Sequence, residues 1–114
     1  MIALMNRVHT FARSEIREKL IEFYTNILGC EVVELPGSML AFRFPEGGSL
    51  SVEFTKDAFD EKQASRGAWL EVKTKDPWSL KKKVLAEGLT QVKHPISERF
   101  YFQAPGGQIW GIVE

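Results

Sequence analysis

The chain has 114 residues, of which 44% are hydrophobic and 26% charged, a composition that argues against disorder and indicates an ordinary globular protein. Fifteen basic and fifteen acidic side chains cancel, so the sequence carries no electrostatic footprint for nucleic acid or for an anionic membrane. The single cysteine, Cys30, excludes an intrachain disulfide, and its apolar neighbours favour a small core residue over a nucleophile.

The first half of the chain predicts the order strand, helix, strand, strand, strand. Apolar alternation in NRVHTFAR predicts a strand at about 6–13, and Ser14 is a plausible cap for the helix that follows. The apolar residues of that helix fall on one stripe: Ile16, Leu20, Phe23, Tyr24 and Ile27. Gly29 is expected to end the helix, and the β-like runs CEVVEL, SMLAFRFP and SLSVEFTKD follow.

The second half predicts the same order after a polar segment at about 57–66, in which Phe59 is expected to be anchored against the protein. GAWLEVKTK predicts a strand, and Asp76 followed by Pro77 is a strong helix start. Gly88 ends this helix, and TQVKH, SERFYFQA and QIWGIVE predict three more strands. The glycines that end the two helices lie 59 residues apart, so the element order repeats.

We therefore expect an α+β fold in one domain over 1–114. It would consist of module 1 at about 1–56, a linker at about 57–66 and module 2 at about 67–114. A single βαβββ module leaves one face of its sheet uncovered. Two such modules can form a curved mixed sheet with helices outside and a cleft inside.

The doubled order and two segments, EFYTNILGCEVVE and YFQAPGGQIWGIVE, resemble the glyoxalase/bleomycin-resistance/dioxygenase group, the vicinal oxygen chelate superfamily. The resemblance covers essentially the whole chain. It implies a cleft in which the first and last strands of each module can hold a divalent metal that binds two vicinal oxygens. Members include isomerases, epimerases, ring-cleaving dioxygenases, thiol transferases that inactivate fosfomycin, and metal-free bleomycin-binding proteins. The resemblance also implies a homodimer.

Residue by residue, the resemblance supplies half of a metal site. His9 lies fourteen residues before Phe23, which resembles the spacing of the first ligand, and Glu53 matches the ligand position on the last strand of module 1. Trp69 stands where a second histidine is expected, and Gly111 stands where the final carboxylate is expected. His9 and Glu53 are therefore the implied ligands of a possible zinc, nickel, manganese or iron ion, and catalytic metal sites normally need at least a third.

Each of these positions has an alternative interpretation. His9 could hydrogen-bond to Glu53 in a cleft wall, and Glu53 could be a general base tuned by His9 or a polar wall residue. Trp69 could stack an aromatic or cationic ligand, or fill the space of the lost metal. Gly111 could leave room for a ligand opposite it, or be an ordinary strand glycine.

Two more residues, Glu71 and Tyr101, are considered as part of the site. Glu71 shares a strand face with Trp69, roughly 6.6 Å along the strand, and could also pair with Lys73. Tyr101, and Arg43 or Arg99, are weaker candidates for polar contacts in a pocket. His94 precedes a proline in a loop-like pair and is expected to be exposed.

The leading hypothesis is a small-molecule-binding protein with an incomplete, metal-free site and no cofactor. The candidate ligand-binding residues are His9, Trp69, Glu71, Tyr101 and Gly111, and Glu53 is the candidate catalytic residue. One alternative is a metal-dependent lyase, isomerase or dioxygenase that uses His9 and Glu53. A second alternative is a non-catalytic dimerisation module. No apolar run approaches about 18 residues, and MIALMNR is too short for a signal peptide, so a cytoplasmic location is expected.

Overall fold

The computed structural model describes residues 1–114, and the chain divides into two compact units, Met1–Ala58 (unit 1) and Phe59–Glu114 (unit 2). Each unit contains one four-stranded mixed sheet and few helices, which confirms the predicted α+β class and the repeat of the βαβββ order. No helix in the chain is long and apolar enough to cross a membrane.

Unit 1 contains strands β1 to β4. Their bounds are Arg7–Ala12 for β1, Glu31–Leu35 for β2, Met39–Arg43 for β3 and Ser49–Phe54 for β4. The sheet order is β1-β4-β3-β2, with β1 parallel to β4 and the other two pairs antiparallel. The first and last strands of the unit are therefore neighbours, and their side chains share faces of the sheet.

The helical segment of unit 1 consists of three short pieces and not the single helix that the apolar stripe predicts. They are a 3₁₀ turn at Ser14–Ile16, helix α1 at Arg17–Glu22 and a π-helical turn at Phe23–Ile27. Arg13 occupies the first cap position and makes no side-chain cap bond, so the prediction that Ser14 caps the helix is wrong. Tyr24 is buried in the wide final turn and stacks on Phe42, with ring centroids 4.8 Å apart.

Gly29 follows this turn with a φ of +74°, a conformation that favours glycine. The predicted helix stop is confirmed.

Strand β4 alternates between buried and half-buried residues, and this alternation creates the site face of unit 1. Leu50, Val52 and Phe54 are buried in the core. Ser51 and Glu53 alternate with them and therefore point to the opposite face.

Unit 2 contains four strands and two helices. Their bounds are Glu61–Ala64 for α2, Leu70–Lys73 for β5, Pro77–Ala86 for α3, Gln91–Val92 for β6, Tyr101–Gln103 for β7 and Ile109–Val113 for β8. The sheet order is β5-β8-β7-β6, with β5 parallel to β8, so the topology repeats that of unit 1. Asp76 accepts a hydrogen bond from the Ser79 N–H at 3.0 Å and caps α3, as predicted.

The segment at about 57–66 is partly helical, and one prediction within it is wrong. The expected linker contains α2. Asp60 and Gln63 cap the start of this helix with reciprocal side-chain-to-backbone hydrogen bonds, a capping box. Phe59 is 62% exposed, so the expectation that it is anchored against the protein is wrong. Its aromatic character suggested burial, but the polar residues around it begin a surface helix.

Candidate functional site

Strand pairing brings His9 next to Ser51 on one face of the unit 1 sheet. The parallel register of β1 and β4 pairs His9 with Ser51 and Phe11 with Glu53. The Nδ1 atom of His9 lies 2.7 Å from the Ser51 Oγ, and its Nε2 atom lies 3.3 Å from the Glu53 Oε1. The three side chains form a continuous hydrogen-bonded chain, which we call the Ser51–His9–Glu53 chain.

The hydrogen bonds of the Ser51–His9–Glu53 chain favour one tautomer of a neutral His9. A carboxylate only accepts hydrogen bonds, so the proton belongs on Nε2, which donates to Glu53. Nδ1 is then an acceptor, and the Ser51 hydroxyl donates to it. The other acceptor near that hydroxyl, the Val8 carbonyl oxygen, lies farther away at 3.4 Å.

The Ser51–His9–Glu53 chain is accessible to solvent. The His9 side chain is 43% exposed and that of Glu53 is 45% exposed. Phe11 presents its ring edge-on to the His9 ring, with centroids 5.1 Å apart and an interplanar angle of 86°. Phe11 is itself exposed, so the face offers polar groups beside an aromatic surface.

The donor set of this face does not fit a metal ion of the kind that the family resemblance implies. His9 and Glu53 are two donors, and no group of three or more His, Cys, Asp or Glu side chains is placed to hold a metal. Both ring nitrogens of His9 are already hydrogen-bonded, one to Ser51 and one to Glu53. In this structure hydrogen bonds connect His9 to both Ser51 and Glu53.

In unit 2, Trp69 packs against two other rings. Its centroid lies 5.5 Å from that of Tyr101 and 5.7 Å from that of His94. His94 and Tyr101 stack on each other at 5.2 Å with an interplanar angle of 24°. We call these three residues the aromatic cluster. The Trp69 Nε1–H donates to the Ser65 carbonyl oxygen at 2.8 Å, which fixes the orientation of the indole.

The space in front of Gly111 is occupied by the ring of Tyr101. A Cβ atom at Gly111 would lie 2.5 Å from the Cε2 atom of that ring, so only glycine fits under it without movement. Gly111 thus supports Tyr101 and leaves no room there for a ligand atom of its own.

An ion pair borders the aromatic cluster. The Arg99 Nη1 atom lies 2.9 Å from the Glu71 Oε2 atom, and the Tyr101 hydroxyl donates to the same oxygen at 3.4 Å. Both charged side chains are about half exposed. Arg99, and not Lys73, is therefore the partner that the structure gives to Glu71.

Ser51 and His94 belong to these two groups in the structure but are not among the site residues predicted from the sequence. Ser51 could have been found, because it lies two residues before Glu53 and so shares its strand face. His94 is half-buried, so the expectation that it is exposed is wrong. Its Nδ1 accepts hydrogen bonds from the Ile96 and Ser97 N–H groups, and this turn directs its ring towards Tyr101.

Cys30 belongs to neither group. It is buried in unit 1, and burial raises the pKa of its thiol to about 12. The expectation of an inert core cysteine agrees with this environment.

Comparisons with known proteins support the fold. No known family model matches the chain, and no curated protein matches its sequence. Among solved structures, a possible glyoxalase from Bacillus cereus is 13% identical with a TM-score of 0.74, covering 99% of this chain and 100% of that chain. The genomically encoded fosfomycin resistance protein FosX from Listeria monocytogenes is 10% identical with a TM-score of 0.75, covering 99% and 91%.

A gene product from Arabidopsis thaliana is 17% identical with a TM-score of 0.74, covering 99% of this chain and 100% of that chain. At these identities the similarity concerns the fold. The chain has the glyoxalase-like fold of the vicinal oxygen chelate proteins, and the resemblance found in its sequence is confirmed at that level.

Proposed function

We propose that this chain is a small-molecule-binding protein that holds a planar compound with polar substituents against the aromatic cluster. The observation that carries the proposal is the contact of three rings, Trp69, His94 and Tyr101, directly beside the half-exposed pair of Glu71 and Arg99. Pockets for small ligands combine apolar and aromatic surface with a few placed polar groups, and this cluster has both.

The cluster is ordered before a ligand arrives, which reduces the entropy lost on binding. The hydrogen bond from Trp69 to Ser65 fixes one ring, and the turn around His94 fixes another. Glu71 can accept from an amine or amidine of a ligand, and Arg99 can donate to a carboxylate or carbonyl. A flat, cationic aromatic compound would gain both stacking and a charged hydrogen bond.

Tryptophan fluorescence tests the proposal, because Trp69 is one of only three tryptophans. Trp78 is 67% exposed and Trp110 is buried. In a Trp78→Phe background, a panel of planar aromatic and cationic compounds and antibiotics is titrated while emission is recorded. At least one compound should quench with saturation, and the quenching should disappear when Trp69→Phe is added.

Two further variants separate stacking from charge. Glu71→Gln keeps the shape of the side chain and should weaken a cationic compound by about tenfold or more, since hydrogen bonds to charged groups contribute about 1.5–3 kcal/mol. Lys75→Gln changes a charge on the exposed loop after β5 and should leave affinity unchanged. The absence of saturable quenching across the whole panel would contradict the proposal.

The same proposal assigns His9 and Glu53 a role in contacting a ligand through the exposed face of unit 1. Their side chains are about half exposed and stand beside the exposed Phe11 ring. Calorimetric titration of the panel with His9→Ala and Glu53→Gln tests this part separately. Unchanged affinities in both variants would remove these two residues from the binding surface.

The alternative of a metal-dependent enzyme rests on the same two residues, which approach each other to 3.3 Å. Elemental analysis decides it, using protein purified without chelator and dialysed against zinc, nickel, manganese and ferrous iron in turn. We expect no retained metal. Close to one ion per chain, lost in both His9→Ala and Glu53→Ala, would instead support the enzyme.

A homodimer is also part of the proposal. Size-exclusion chromatography with light scattering measures it directly, and we expect a mass near twice the 13.0 kDa of the chain. A dimer that binds nothing in the panel would favour the alternative of a dimerisation module.

A further inference from the structure

We infer that Ser51 is a nucleophile for acyl transfer from activated aryl esters, with His9 as its general base and Glu53 as the residue that positions His9. The Ser51–His9–Glu53 chain carries this inference. It lies wholly in unit 1 and does not depend on ligand binding by the aromatic cluster.

Nucleophilic serine sites are recognised by the geometry and roles of their residues and not by their sequence order. The nucleophile must lie within hydrogen-bond reach of a base, and the base must be oriented by a third group. The Ser51 Oγ lies 2.7 Å from Nδ1 of His9, and Nε2 of the same ring lies 3.3 Å from the Glu53 carboxylate. Both requirements are met by three side chains on two adjacent strands.

The tautomer of His9 is the one that the reaction needs. With the Nε2 proton donated to Glu53, the Nδ1 lone pair points at the Ser51 hydroxyl and can take its proton. Glu53 then stabilises the imidazolium that forms, at a contact already present in the resting protein.

The surroundings of the Ser51 hydroxyl allow a substrate to approach. The residue opposite Ser51 on β3 is Ala41. Because the alanine side chain is small, it leaves space on the sheet face next to Ser51. The exposed ring of Phe11 lies against His9 and offers an apolar surface to an aryl leaving group. Arg7, paired in register with Ser49, adds positive charge to the same face, whereas Arg43 on the other side of Ser49 is paired with Glu31 at 3.9 Å.

The step is balanced with water as the only co-reactant. The Ser51 oxygen forms a bond to the ester carbonyl carbon, and its proton moves to His9 Nδ1. The bond between that carbon and the aryloxide oxygen then breaks, and His9 returns the proton to the leaving phenol. Water attacks the acyl-serine with His9 as base, which releases the carboxylic acid and restores the hydroxyl.

The test uses p-nitrophenyl acetate and the full-length protein. A burst of p-nitrophenol approaching one equivalent per chain is expected, together with one added acetyl group in the intact mass. Trypsin should yield a peptide from Phe44 to Lys56, which contains both Ser49 and Ser51, so fragment ions must assign the acetyl group to one of them.

Ser51→Ala should abolish the burst and the adduct, and Ser49→Ala is the matched control. Ser49 lies two residues earlier on the same strand and face, and the Ser49→Ala variant should react as the wild type does. A burst that persists in Ser51→Ala, or an acetyl group found only on lysines, would overturn the inference. The absence of any adduct in folded wild-type protein would also overturn it.

Variants of the other two members test their roles. His9→Ala should slow acylation by about 10²–10⁴-fold, the usual contribution of general acid–base catalysis. Glu53→Gln should lower the acylation rate constant while the urea midpoint of unfolding stays unchanged, a pattern that a purely structural role would not produce. If Glu53→Gln changes only the urea midpoint, Glu53 does not position His9.

Discussion

Replacing Gly111 with alanine should destabilise unit 2 through a single contact. A Cβ atom at this position would lie 2.5 Å from Cε2, 2.9 Å from Cδ2 and 3.1 Å from Cζ of the Tyr101 ring. Carbon atoms pack best at about 3.5–4.0 Å, so the ring must retreat by roughly 1 Å. Tyr101 is only 4% exposed and lies against Trp69 and His94, which limits that retreat.

The magnitude follows from two opposing effects. Forcing an extra methyl group into a packed interior costs about 1–3 kcal/mol, and replacing glycine by alanine within a strand returns about 0.5–1 kcal/mol. We expect Gly111→Ala to lower the free energy of unfolding by a net amount of up to about 2.5 kcal/mol. Urea unfolding followed by far-UV circular dichroism measures it, with the slope checked for a change in two-state behaviour.

A double-mutant cycle isolates the contact with Tyr101. Tyr101→Val removes every ring atom that collides with the new Cβ, so Gly111→Ala in that background should be neutral or stabilising by up to about 1 kcal/mol. Tyr101→Phe keeps the colliding atoms, and in that background Gly111→Ala should remain destabilising. Equal losses in the valine and phenylalanine backgrounds would refute the reasoning.

Three further outcomes are expected. Because burial raises the pKa of Cys30 to about 12 from its ordinary 9.0, thiol reagents should label it slowly at pH 8 unless denaturant is added. As the pH rises, the Cys30 thiol ionises first in the unfolded chain, at its ordinary pKa of 9.0. The stability linked to the protonated thiol is therefore present below about pH 9 and is lost as the pH rises towards 12. Cys30→Val should remove this part of the dependence of stability on alkaline pH. Asp76→Ala should lower the free energy of unfolding by about 0.5–2 kcal/mol through loss of the α3 cap. Asp76→Asn should retain most of the stabilisation that the cap contributes, because asparagine is also a good capping residue. Arg99→Ala should change stability by less than about 1 kcal/mol, because its pair with Glu71 is exposed, while it weakens ligands that carry a carboxylate.

Much of the fold could be predicted from local signals in the sequence. Gly29 and Gly88 both have positive φ values after a helical segment, as their positions in the pattern indicate. The Asp76 cap was also predictable, because a capping side chain and its partner lie within one turn of each other. These features need only a few neighbouring residues to form, so a single sequence contains the information for them.

The errors come from features that depend on distant contacts. The final turn of the first helical segment is π-helical and contains Tyr24, which stacks on Phe42, and the apolar stripe alone does not reveal either feature. The His94 ring is half-buried because it stacks on Tyr101, a contact that the His-Pro pair in the sequence does not predict. Strand alternation places Ser51 on the same face as Glu53, but its position beside His9 depends on the parallel register of β1 and β4, which joins residues 42 positions apart.

The two departures from the family's metal pattern in unit 2 are explained by one packing arrangement. The Tyr101 ring lies over Gly111, where the pattern has a carboxylate, and Trp69, where the pattern has a histidine, packs against the same ring. A glutamate at 111 would start from a Cβ only 2.5 Å from the Cε2 atom of that ring, so it could not reach forward unless Tyr101 moved. Restoring a histidine and a carboxylate at these two positions should therefore create no metal site while Tyr101 is present, since the aromatic cluster occupies the space that the ligands need.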